Sequence, residues 1–217
     1  MNKNQAHIEG PIGAIHLTSV QEGTVRANVT IVTYSSQPSG VPKPIPVRAT
    51  IEAKSKLAKT LVEFNKSLNG DKIRPGSEGY KPVYLSVDGP VRMRGDEIYI
   101  NAAEGKTKQI AKVQADSNTA SIEGTVKNIT DNGKSIAVLV QTDDGPVTLN
   151  MRHERLPEGF SELKSGKLSV GDKVSVQGPI IGGSFTNGKE NIFVSFVAPH
   201  RISEIKKKVK KTTNITM

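Results

Sequence analysis

Cations, amides and aromatic rings recur at outward strand positions in the first half of this chain. Between residues 24 and 51, Arg26, Asn28, Thr30, Tyr34, Arg48 and Thr50 alternate with Val25, Ala27, Val29, Ile31, Ile45, Val47, Ala49 and Ile51. Successive side chains of an extended chain point to opposite faces, so this period-2 pattern gathers the polar set on one side of a two-stranded ribbon. Guanidinium groups suit phosphates, and a phenol ring suits stacking on a base. A solvated sheet face is the alternative for that stretch taken alone. The same chemistry extends to Tyr84 and Tyr99, each flanked by apolar residues, and to Arg74 and Tyr80 in the loop 72–81. Arg92 and Arg94 are expected at a hairpin tip after Gly89.

The second half offers less. Its outward set is Thr148, Asn150 and Arg152, followed by His153 and Arg155, with Ala137 and Leu139 beside Gln141. That mixture suits packing against the first half or another subunit better than primary binding. Phe185, in the glycine-rich hairpin 182–188, is either a stacking finger or a cover for one barrel end. Catalysis is not indicated. His7, His16, His153 and His200 lack metal-ligand spacing, and Asp96-Glu97 and Asp143-Asp144 fall at turns. Residues 183–189 imitate a phosphate loop, but Glu190 stands where a Ser or Thr belongs, and the context is a β-hairpin. No cofactor and no metal are expected.

Strands must carry these side chains, and the sequence supplies them twice. His7-Ile8-Glu9-Gly10-Pro11-Ile12 is echoed by Ser121-Ile122-Glu123-Gly124-Thr125-Val126, and Val47 to Ile51 by Val147 to Met151. Val87-Asp88-Gly89-Pro90-Val91 returns as Val176-Gln177-Gly178-Pro179-Ile180, and Glu97-Ile98-Tyr99-Ile100 as Asn191-Ile192-Phe193-Val194. Four echoes in one order point to two copies of one fold. The first copy has strand candidates at 7–17, 24–34, 45–53, 83–87 and 97–102. The second has them at 120–129, 135–142, 147–152, 173–177 and 191–197. Between the third and fourth strands of the first copy, Leu57, Leu61, Phe64 and Leu68 form the stripe of an amphipathic helix over 54–69, ended by Gly70. A shorter helix near 158–163 is expected in the second copy. The division is residues 1–112, a polar linker at 113–119, a second domain at 120–205 and a basic, disordered tail at 206–217.

Charge is distributed unevenly along the 217 residues. The net charge is +9, made of +6 over residues 1–112, −2 over 113–205 and +5 over 206–217. A basic first half and tail suggest an anionic polymer as partner. Cysteine is absent, which fits a reducing compartment and excludes disulfide scaffolds. The N-terminal residues lead into no apolar run, so no secretory signal is expected, and no apolar run approaches the ~20 residues of a membrane helix.

Three strands, a helix and two more strands, taken twice, make an all-β layout that resembles two tandem OB-folds, each a five-stranded Greek-key barrel. On the Ile-Glu-Gly opening, the Val-x-Gly-Pro after strand four and this layout, the chain resembles single-stranded DNA-binding proteins of the phage or mobile-element kind. The resemblance spans nearly the whole chain. It implies a largely sequence-independent binder that protects single-stranded DNA in replication or recombination, cytoplasmic in a bacterium or phage-infected host. It also implies assembly as a homo-oligomer or with replication proteins. Two departures stand out: the chain ends in lysines where such proteins usually carry an acidic tail, and it has no tryptophan. The competing expectations are RNA binding, since nothing here discriminates a 2′-hydroxyl, and a structural or adaptor role in a replication or virion assembly.

Overall fold

The computed structural model describes residues 4–35, 43–113, 117–156, 168–187 and 190–206. The first set of elements is β1 (Gln5–Gln21), β2 (Thr24–Ser35), β3 (Lys43–Lys54), helix α1 (Ser55–Asn65), β4 (Tyr84–Arg94), β5 (Glu97–Asn101) and β6 (Lys106–Ile110). The second is β7 (Asn118–Asp131), β8 (Ser135–Thr142), β9 (Gly145–Arg152), β10 (Lys173–Gly178), β11 (Ile180–Asn187), β12 (Glu190–Val197) and β13 (Arg201–Lys206). Among the first set, pairing runs β1–β2–β3–β5–β4 and returns to β1, which closes a five-stranded barrel with β3 and β5 parallel. The second set repeats the order as β7–β8–β9–β12–β11. There β10, across Pro179 from β11, leads back to β7. Strands β6 and β13 are added at the edges, on β4 and β10 respectively.

The alternation of the ribbon holds. Val25, Ala27, Val29 and Ile31 on β2 and Ile45, Val47, Ala49 and Ile51 on β3 are buried, while Arg26, Asn28 and Arg48 are exposed. Each large side chain withdrawn from water contributes about 1.5–3 kcal/mol. Helix α1 closes one end of the first barrel with Leu61 and Phe64, and a π-helical turn at Lys66–Gly70 adds Leu68.

The echoed glycines sit where long strands pass from one sheet to another. At Gly10, β1 leaves β4 to join β2, and a Cβ there would lie 2.3 Å from the Val32 carbonyl oxygen. At Gly124 the corresponding distance to the Gln141 oxygen is also 2.3 Å. Neighbouring backbone hydrogen bonds repeat as well, Ile12 N to Val83 O and Val126 N to Asp172 O.

Several expectations shift. Strand four does not turn after Gly89 but runs on to Arg94, with Val91 fully buried, so Arg92 is a strand residue rather than part of a tip. Strands β6 and β13 are additions that no apolar alternation in the sequence announces. Asn118 and Thr119 belong to β7 rather than to a connecting stretch. The fourth echo is three residues out of register. Val91 pairs with Ile100 as Ile180 pairs with Val197, so Tyr99 corresponds to Phe196, not Phe193. The helix expected near 158–163, residues 37–42 of the proline-rich segment, the tail beyond residue 206 and the Phe185 side chain lie outside what is described.

Strands β1 and β7 pair antiparallel, so one sheet runs through both barrels. Ala6 lies opposite Ala120, its own counterpart in the repeat. Gln5 opposite Ser121 is likewise mirrored by His7 opposite Thr119. The register therefore maps onto itself when the two halves are exchanged, as in an isologous dimer made within one chain.

Candidate nucleic-acid interface

Register decides which outward side chains become neighbours. Pairing of β1 with β2 sets His16 opposite Asn28, and pairing of β2 with β3 sets Asn28 opposite Thr50 and Thr30 opposite Arg48. Parallel pairing of β3 with β5 then puts Tyr99 beside Arg48, and the β4–β5 hairpin puts Arg94 opposite Glu97. Strands about 4.8 Å apart make these four ranks a patch on the order of 15 Å wide. It is a groove of about 540 Å³ whose lining, among the described residues, comes from the first barrel.

Within the groove, Arg48 Nη1 reaches Glu97 Oε2 at 2.9 Å, and the Thr50 hydroxyl donates to Asn28 Oδ1 at 3.0 Å. That bond directs the Asn28 carbonyl toward Thr50 and turns its NH₂ away as a donor. Arg94 makes no ion pair among the described residues. The same face continues along the ribbon into a second groove of about 410 Å³, where Arg26 and Lys54 flank Glu52. Arg26 Nε lies 2.9 Å and Lys54 Nζ 3.5 Å from its carboxylate oxygens. The Arg26 hydrogen bond, foremost, holds the Glu52 carboxyl below the usual carboxylate range. Exposed pairs of this kind are weak, because water and salt screen them. The arginines are therefore held in place cheaply, and an incoming phosphate competes for them at little cost.

Other expected site residues do not gather here. Tyr34, 53% exposed, stands at the far end of β2 opposite Pro44. Arg74 donates from Nη1 to the Leu68 carbonyl at the end of the helical segment, and so serves that segment instead of the groove. Tyr80 packs on Phe64 with ring centroids 6.4 Å apart, and burial pushes its phenol pKa up. Tyr84 is half-buried on β4 between Pro11 and Ile110. Arg92 spans Asp144 Oδ1 at 3.0 Å and Glu104 Oε2 at 3.0 Å, which fastens the first barrel to the β8–β9 turn. Arg152 is exposed at the end of β9, in the second barrel. Loop position and residue type drew attention to these side chains, but the fold occupies several of them in packing.

Ala14, His16 and Glu97 also line the groove, outside the set that the sequence pattern marks. His16 was accessible from the alternation of β1 alone. Glu97 was not, because only the non-local β3–β5 pairing brings it to Arg48. No group of His, Asp and Glu residues among the described residues could hold a metal ion.

No protein-family model matches the sequence, and no curated protein does. Solved structures do match. The wild-type single-stranded DNA binding protein from Thermus aquaticus aligns with a TM-score of 0.56 at 12% identity, over 96% of this chain and 95% of that one. A deletion mutant of the same protein aligns with a TM-score of 0.54 at 13% identity, over 96% and 97%. The fold is the OB-fold. At this identity the likeness concerns architecture, and in an OB barrel the groove described above occupies the face of strands two and three. The counterpart face on the second barrel is partly taken. Met93 of β4 approaches Thr148 of β9, with Sδ 4.0 Å from Oγ1.

Proposed function

We propose that the chain binds single-stranded nucleic acid, single-stranded DNA foremost, with little sequence preference and without chemistry at the bound strand. The observation that carries this reading is the open groove across β1, β2, β3 and β5. It brings Arg48, Arg94, Asn28, His16 and Tyr99 together on one face of the first barrel. Cations there would follow phosphates, while Tyr99 offers a stacking surface whose removal would cost about 1–3 kcal/mol. Arg26 and Lys54 extend the same track, and Tyr34 stands beyond it. The division into a binding unit over 1–112 and a second unit over 120–205 belongs to this proposal. So does a role for the second unit in bracing the first. The fold likeness to a single-stranded DNA binding protein supports the reading at the level of architecture.

Fluorescence anisotropy with a labelled dT oligomer tests it. With about four phosphates neutralised at about 0.7 each, log K should fall with log salt at a slope of about −3. Replacing Arg48 and Arg94 by Ala should remove about 1.4 of that slope while the thermal melt is unchanged. Absence of binding at low salt would reject the reading and leave the structural or adaptor role.

A further inference from the structure

A third groove, of about 610 Å³, begins where the second ends. The two share Glu52 and Lys54, and the third goes on past Leu57 to Gly105, Lys106 and Lys108. Asp88, opposite Lys106, lines it too, its carboxylate 2.8 Å from His7 Nδ1. The second in turn continues the first along the ribbon, since Arg26 and Glu52 stand two residues from Asn28 and Thr50 on the same faces. Lys106 and Lys108 lie on β6, a strand that among the described residues pairs only with β4. Alternation sends both side chains to the same face, about 7 Å apart. Both are exposed, and neither makes an ion pair among the described residues. Edge lysines commonly guard a strand against pairing, but these two also line a depression that opens onto a cationic track.

From this continuity we propose that a bound single strand does not stop at Lys54. It turns the corner between β3 and α1 and lays its phosphates on Lys106 and Lys108, so that the first barrel is wrapped rather than crossed. The proposal rests on the first groove being the primary site. Its chemistry is that of backbone phosphates alone, since Leu57, Ala102 and Gly105 offer no ring for a base.

The test compares Lys106→Gln plus Lys108→Gln with the parent protein on two dT oligomers. One is about eight nucleotides long, within the scale of one OB-fold site, and the other about thirty. For the long oligomer, the double variant should lower the salt slope by about 1.4, two contacts at about 0.7 each. Affinity and slope for the short one should stay at parental values, with a circular-dichroism melt showing the fold intact. A parental slope on the long oligomer would overturn the wrapped path and leave the primary site standing. Equal weakening of both oligomers would overturn it too, since the lysines would then act on the primary site. Failure of the parent protein to bind either oligomer would reject the primary reading itself.

Discussion

Arg48 holds Glu97 across the β3–β5 junction and also faces the groove, and exposure lets it do both. A buried pair would be too costly to disturb, whereas this one exchanges carboxylate for phosphate at a cost of about 1 kcal/mol or less. Tyr80 illustrates the opposite condition. Packed on Phe64, its phenol resists ionisation, first because burial disfavours the phenolate and then because Tyr84 lies nearby. A folded-state pKa above the unfolded one stabilises the fold fully below the ordinary phenol value of about 10. That contribution is lost as pH rises through the folded value. Tyr80→Phe should therefore leave the melting temperature at neutral pH nearly unchanged and flatten its decline above about pH 10. Parallel decline of parent and variant would remove Tyr80 from the alkaline transition.

At the scale of elements, the repeated Ile-Glu-Gly marks a mechanical need. A five-stranded barrel closes only if its first strand bends from one sheet to the next, and the bend brings the Gly10 and Gly124 α-carbons against facing carbonyls. An added methyl would force backbone to shift, which typically costs about 1–3 kcal/mol or more. Gly10→Ala and Gly124→Ala should each lower stability to urea by at least that range. Gly183→Ala, where a Cβ meets nothing within 4 Å, should stay within about 0.5 kcal/mol. Similar small losses at all three sites would refute the close-approach account. Helix α1 was readable from its stripe because burial of Leu61 and Phe64 requires that spacing. Strand β6 was not readable, since an edge strand beginning Lys-Thr-Lys has little apolar face to announce it, and in β13 the spacing of Ile202 and Ile205 breaks the period of two.

Across the whole molecule, the pairing of β1 with β7 makes the barrels one body with related but unequal faces. Strand β4 leans on β9 while β11 leans on β3, as the exchange of halves requires. Asn118 secures the junction. Its Nδ2 donates to Ile180 O at 2.8 Å and to Thr33 Oγ1 at 2.9 Å, and its Oδ1 accepts from Ile180 N at 2.9 Å. Ile180 is fully buried, so Asn118→Ala would strand its backbone groups at about 1–3 kcal/mol. Urea unfolding should reveal that loss, and hydrogen exchange should quicken in β7 and β11 together. An unchanged transition would mean that water serves the site as well as the amide.

What the residues determine alone is local: which positions face inward, where a helix must lie, and that one pattern occurs twice. Period and propensity act over a few residues, so they leave a trace in the order of the chain. Tertiary structure decided which outward residues meet. Arg48, Tyr99, Arg94 and Glu97 converge through a parallel pairing between strands some fifty residues apart. Arg74, Tyr80 and Arg92 are drawn off into helix and barrel contacts that no spacing foretells. Neighbourhood across a barrel depends on register and closure, which belong to the assembled sheet and not to any segment of it.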